Sequence, residues 1–292
     1  MVETSNQRDW AVAPAFTPLP YNLLDVAERA DFTGHQKLGV MYQVNSCAVP
    51  LEYDADCVTG TGAAKTPTAD VLWRGADPFV VYSWLPCTFV GEAPDKLKAD
   101  TLAAHQDNVA RRVDDIFWTG GDFNTYQHLS SDTQVVVTSG GNDLLLQTAA
   151  TIVTGTGNVL DLSIGLLEQA MADCYGGVPF LHIPRKLIAL LANLHLLEER
   201  NGRLYTIGGS LVVAYSGPNT GPDGTEAPAG FAWVYATSPV KVWSGEIRWT
   251  ASDPAEILDR DTNGTVLVAE QRFVIGWGCC HFASLVSLDT TP

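Results

Sequence analysis

"FVVYSWLPCTFVGEAPDKLKADTLAAHQDNVARRVDDIFWTGG", Phe79 to Gly121, sets an apolar extended run, a two-proline break and a long charged helical pattern end to end. From Pro94 to Trp118 the apolar residues Leu102, Val109, Val113 and Ile116 recur at spacings of seven, four and three, with Lys96, Lys98, Asp107, Arg111 and Arg112 elsewhere on the wheel. That period predicts a helix with one apolar stripe. Roughly 24 residues at about 1.5 Å each make a rod of about 36 Å, ended by "WTGG" with glycine in the left-handed role. In the preceding run, Phe79, Val81 and Ser83 alternate with Val80, Tyr82 and Trp84, so both faces carry bulky groups. A strand of that kind is marginal alone and needs contacts on both sides.

Upstream, "CAVPLEYDADCVTGTGAAKTPTADVLWRGADPFVVYSWLPC" reads as two extended segments joined by a Gly, Thr and Ala-rich tip at Val58 to Ala69, a long hairpin. Before it, Pro14, Pro18 and Pro20 and the two-turn pattern "YNLLDVAERA" read as an arm whose Trp10, Phe16 and Tyr21 must lie on something else. Downstream, "LDLSIGLLEQAMADC" predicts a helix presenting Leu160, Ile164, Leu167, Met171 and Cys174, capped by Asn158. "GVPFLHI" reads as a buried strand. Pro184 then opens a helix striped by Leu187, Leu190 or Leu191, Leu194 and Leu197 and stopped by Asn201-Gly202. Strands follow, from "RLYTI" through "SLVVAYS", "FAWVYAT", "PVKVWSGEIRW" and "TVLVAEQRFVIGW" to "HFASLVSL", with "PNTGPDGTEAPAG" as an exposed loop. Helices first and strands after predict α+β packing rather than repeated βαβ units.

The chain has 292 residues, 46% hydrophobic and 17% charged, enough for one elaborate domain or two that share segments. Its formal net charge of −16 is the wrong sign for gripping phosphates, although an acidic wall can still enclose DNA without holding it. The N-terminal stretch lacks the features of a secretory signal. The longest apolar run, "LIALLANLHLL", stops at Glu198, Glu199 and Arg200, short of a membrane span.

The six cysteines, Cys47, Cys57, Cys87, Cys174, Cys279 and Cys280, are expected to be reduced at synthesis and include no C-x-x-C pair. On a strand, Cys279 and Cys280 of "CCHF" point to opposite faces and cannot share an ion, so no metal site is assigned. No catalytic or cofactor-binding residue is assigned either. "GTGN" lacks the third glycine of a dinucleotide fingerprint and the Lys-Ser/Thr pair of a phosphate loop, and reads as a loop before a helix. His182 and His195 sit in apolar runs and read as core histidines; His105, Asp114 and Asp115 read as solvated helix face. Trp73, Tyr82, Trp84 and Trp118 could stack on bases or sugars, but the acidic balance favours packing or subunit contact.

This order of elements resembles the Hong Kong 97-type major capsid proteins of tailed bacteriophages, particularly those infecting actinobacteria. The resemblance is carried by "PFVVYSWLPC", "RRVDDIFWTGG", "LLEQAMADCYGGVPFLHIPRKLIALLA", "YTIGGSLVVAYSGP", "WVYATSPVKV" and "DRDTNGTVLVAEQRFVIGW", and spans most of the chain from Cys47 onward. It implies an N-terminal arm at 1–48, an extended E-loop hairpin at 49–94, a P-domain spine helix at 95–130, an A-domain at 131–240, and P-domain strands with the C-terminus at 241–292. It also implies a non-catalytic subunit that self-assembles through hexamers and pentamers into an icosahedral shell around DNA. Scaffolding, portal and decoration proteins are the expected partners, the host cytoplasm the place of assembly and the virion the destination. No charged scaffolding segment precedes residue 20, so a separate scaffold or none is expected. Trp10, Phe16, Tyr21, Lys65, Trp73, Phe79, Tyr82 and Trp84 become inter-subunit contact candidates. Some relatives crosslink an E-loop lysine to a neighbour's asparagine, and Lys65 is the only lysine of this predicted loop. Cys57 and Cys87 are candidates for a disulfide formed after lysis. An encapsulin-like compartment is the alternative reading, and a cytosolic hydrolase a remote one.

Overall fold

The computed structural model describes residues 16–33, 39–44, 72–76, 78–87, 94–119, 146, 150–249, 258–259 and 264–289. Its longest helix, α2 (Pro94–Thr119, 26 residues), follows the sequence pattern, with Pro94 in the first turn, where a missing N–H costs nothing. The buried line differs from the expected stripe. It runs through Leu97, Thr101, His105, Val113 and Ile116, while Leu102 and Val109 are half-buried. Thr101 fits because its hydroxyl donates to the Leu97 carbonyl (2.7 Å), so the core meets only its methyl side. The glycines after Trp118 lie outside the described residues.

α2 packs against β4 (Phe79–Cys87) and β14 (Gly264–Trp277), which pair antiparallel from Phe79↔Phe273 to Cys87↔Thr265. They belong to a six-stranded sheet in which β1 (Glu28–Asp31) runs parallel to β11 (Val240–Ser244), and β14 also pairs with β12 (Arg248–Trp249) and β13 (Leu258–Asp259). β4 is therefore a sheet strand rather than an arm of the hairpin. The hairpin stem is β2 (Val40–Val44) against β3 (Leu72–Ala76), a separate two-stranded sheet. Its predicted tip lies outside the described residues.

The second sheet has seven strands in the order β5 (Thr151–Ile152), β15 (His281–Ser287), β10 (Phe231–Thr237), β6 (Phe180–Pro184), β9 (Leu211–Tyr215), β8 (Arg203–Thr206), β7 (Leu197–Arg200). β6 and β9 are buried along their whole length, as expected of strands covered on both faces. One face meets α3 (Leu160–Cys174) and α4 (Lys186–Asn193) through Ile164, Leu167, Met171, Leu187 and Leu191. The other meets the C-terminal end of α2. There Trp118 stacks on Tyr215 at 4.5 Å, meets Tyr235 edge-on at 5.1 Å, and donates from Nε1 to the Thr220 carbonyl at 3.2 Å.

Several local expectations are corrected. Pro184 ends β6 instead of opening α4, and α4 is shorter than read. Leu194 is exposed just past its end, and Leu197 begins a strand. Asn201-Gly202, with φ of 53° and 72°, is the tight turn joining β7 to β8, since paired positive φ values match the twist of a hairpin. Asn158 (φ 53°) closes a single 3-10 turn, and α3 is capped at Val159 without a side-chain hydrogen bond. The arm pattern yields one turn, α1 (Leu23–Val26), followed at once by β1.

Candidate self-association surface

Alternation along β4 divides its side chains between the core and the outside. Phe79 and Val81 point under α2, where Phe79 is 7% exposed and stacks on Phe273 at 5.8 Å. Phe79 is thus taken up by the chain's own core, which corrects its place among the contact candidates. On the opposite side Val80, Tyr82 and Trp84 form a continuous apolar ridge, with Tyr82 64% and Trp84 54% exposed. Three large apolar side chains in one row are more than scattered surface hydrophobics.

Polar contacts lie behind the ridge. His105 is fully buried in α2, its Nδ1 3.1 Å from Ser83 Oγ and its Nε2 3.4 Å from Gln271 Oε1, while Gln271 Nε2 donates to the Gly245 carbonyl at 2.9 Å. The expectation of a solvated His105 is therefore corrected; burial also lowers its pKa.

The arm is anchored by hydrogen bonds. Asn22 caps α1, its Oδ1 accepting from Asp25 N at 3.0 Å, and Asp114 Oδ1 on α2 accepts from Leu23 N at 2.9 Å. Asp114 is buried rather than solvated, and desolvation pushes its pKa up to about 8. Arg185 grips the arm from the other side, donating to the Pro20 carbonyl (2.8 Å), the Ala214 carbonyl (3.2 Å) and Ser216 Oγ (2.9 Å). Asp115 is half-buried, paired with Arg112 at 2.7 Å and accepting from Tyr215 O–H at 3.1 Å.

Of the other contact candidates, Phe16 is exposed on the arm. Tyr21 is half-buried against the α3–α4 layer, and its carbonyl accepts from Ala214 N at 2.7 Å. Trp10 and Lys65 lie outside the described residues; Trp73 is described only in its backbone, paired with Gln43. Sequence reasoning missed Met41 on the hairpin stem and Ile207 at the β8–β9 turn, both strongly exposed. Ile207 stands alone between Thr206 and Gly208, and Met41 lies within the apolar run Val40 to Tyr42, where nothing in the pattern marks it as exposed.

The histidines take separate roles. His182 is a core residue with Nε2 2.9 Å from Thr237 Oγ1, and its pKa is pushed down to about 3 by burial and by His281. His195 is exposed, with φ 55°, just past α4, so the core reading fails there. A cleft of about 340 Å³ between β1, β11 and β14 is lined by Asp31, Phe32, Glu246, Arg248 and Arg272, charges of both signs.

The cysteines depart most from expectation. Cys174 is disulfide-bonded to Cys280, and Cys279 is disulfide-bonded as well, where reduced thiols were expected. Cys279 and Cys280 occupy a bend ahead of β15, so strand alternation does not apply, and their sulfurs lie 3.3 Å apart. Cys57 lies outside the described residues, and Cys87 is described only in its backbone.

No family model matches the sequence, and no curated protein matches it. Solved structures do. A chain from Mycobacterium phage Bobi is 16% identical and matches with a TM-score of 0.52, covering 99% of this chain and 97% of its own. The capsid of an empty GTA particle gives 11%, 0.53, 94% and 100% for the same measures. A holo-SrpI encapsulin complex from Synechococcus elongatus gives 7%, 0.52, 98% and 95%. The chain has a capsid-like α+β fold, and the resemblance read from the sequence holds at that level.

Proposed function

We propose that this chain is a major capsid protein, which self-assembles through hexamers and pentamers into the icosahedral head shell of a tailed phage and encloses its DNA. The observation that carries the reading is coverage. The fold is shared over nearly the whole of this chain and nearly the whole of its phage and capsid counterparts, leaving little of the chain for an added activity. The ridge of Val80, Tyr82 and Trp84 supplies apolar area for a neighbouring copy to cover, and repetition by symmetry multiplies weak contacts. The net charge of −16 suits a wall that contains DNA without gripping it.

In the Hong Kong 97-type scheme we assign residues 1–48 to the arm, 49–94 to the E-loop, 95–130 to the spine helix of the P-domain and 131–240 to the A-domain. Residues 241–292 we assign to the P-domain strands and the C-terminus. We assign no catalysis; scaffolding, portal and decoration proteins are the partners of assembly, which takes place in the host cytoplasm, and the virion is the final location. Lys65 is the lysine for an inter-subunit crosslink, a role that monomer-mass chains from boiled particles would remove.

Expression of the chain alone, followed by size exclusion with light scattering and negative-stain microscopy, is expected to give shells or free pentamers and hexamers. A monomer at every concentration, both alone and on co-expression with a scaffolding protein, contradicts the proposal. The encapsulin match favours a second reading, a protein compartment. Particles from the native source separate the two: nuclease-protected DNA supports a phage head, and a folded enzyme on the inner wall without DNA supports a compartment.

A further inference from the structure

The chain passes from one sheet to the other at two adjacent places, at Ser238 between β10 and β11 and at Gly278–Cys280 between β14 and β15. The crossings are tied together: Gly278 N donates to Ser238 Oγ at 2.7 Å, and Ser238 N donates to the Cys280 carbonyl at 3.3 Å. The hairpin stem bears on the same spot, with Tyr42 O–H donating to the Trp277 carbonyl (2.7 Å) and Arg74 Nη2 to the Cys279 carbonyl (3.4 Å). Into this joint comes Cys174, the last residue of α3, bonded to Cys280 across 106 residues of sequence. Cys280 is 1% exposed, and the sulfurs of Cys174, Cys279 and Cys280 all lie within 4.8 Å of one another.

We propose that Cys174–Cys280 is a redox clasp that locks the joint between the two sheets. As thiols the pair leaves the end of α3 unbonded to the crossing; as a disulfide it bolts the end of α3 to the turn on which β14 gives way to β15. A small-molecule disulfide is sufficient oxidant. One protein thiolate attacks it, forming a mixed disulfide and releasing one small thiol. The second protein thiolate then attacks the protein sulfur, forming the Cys174–Cys280 bond and releasing the other small thiol. Two electrons pass to the reagent, and the two protein thiol protons end on the released thiols. A shell built in a reducing cytoplasm and freed by lysis meets that change once; this timing rests on the capsid reading, whereas the lock does not.

The test compares full-length chain held in reductant with chain treated with oxidised glutathione. Peptide mapping after alkylation is paired with amide hydrogen exchange. Oxidation is expected to produce a Cys174–Cys280 linked peptide and to slow exchange at Ser238 and Gly278–Cys280 by about tenfold or more. Cys174→Ser loses both effects, and Cys279→Ser, which removes a neighbouring disulfide-bonded cysteine, keeps the Cys174–Cys280 peptide. The proposal is overturned by the absence of that peptide, by a link from Cys174 to Cys279 in its place, or by a link that leaves exchange unchanged. Light scattering on the same samples scores assembly separately, so a chain that locks but never assembles counts against the capsid reading alone.

Discussion

Asp114 shows how a single carboxyl couples the arm to the long helix. Its raised pKa of about 8 sets the sign of a pH dependence. The folded chain holds this proton more tightly than the unfolded chain, whose carboxyl titrates near its ordinary value of 3.8. The stability it contributes is therefore fully present below that value, declines as pH rises, and is gone above about 8. Asp114→Asn keeps an oxygen to accept from Leu23 N and removes the charge. It is expected to flatten the decline and to raise stability at pH 9 by about 0.5 to 3 kcal/mol, read by denaturant titration at several pH values. His182 acts in the opposite sense. Its pKa is depressed to about 3 from 6.5, so its contribution is present above 6.5 and lost as pH falls toward 3. His182→Gln retains a polar group toward Thr237 and is expected to make the acid-side loss of stability shallower in the same titration. Neither Asp114 nor His105 was legible as buried. A polar residue in a helix reads as solvated until its partner is known, and here the partners, Leu23 N and the Ser83–Gln271 pair, are distant in sequence.

Among the elements, legibility followed periodicity. α3 appears over the residues whose apolar spacing predicted it, and β10, β14 and β15 fall on their alternating or continuous apolar runs. α4 was over-extended because "LLANLHLL" keeps a helical spacing after the helix has ended at Asn193. His195 in a left-handed conformation breaks the helix without the glycine that would announce it. At the inner end of α2, Trp118 fills the space between Tyr215 and Tyr235, so Trp118→Ala is expected to cost about 3 to 5 kcal/mol in a denaturant unfolding experiment. The outer face of β4 should behave otherwise. Tyr82→Ser with Trp84→Ser removes mostly exposed area, so stability should fall by about 1 kcal/mol per site, well short of the cost at Trp118. Light scattering should show assembly lost. Assembly undiminished in a folded double variant would remove the ridge from the contact surface.

For the molecule as a whole, the α+β class was legible because helical patterns precede the main strand run, but the assignment of strands to sheets was not. β4 joins β14 across nearly two hundred residues, and β15 leaves β14 for the other sheet after a three-residue bend. Such pairings are decided by burial on both faces, which a one-dimensional pattern does not encode. The fold that results leaves an apolar ridge uncovered in the single chain, an arrangement that makes sense for a subunit whose surface is completed by copies of itself. The most direct test of that account is a cryo-electron microscopy reconstruction of particles formed by the purified chain. The account predicts a closed icosahedral shell in which a second copy covers Val80, Tyr82 and Trp84. A closed shell with that ridge facing solvent would contradict it.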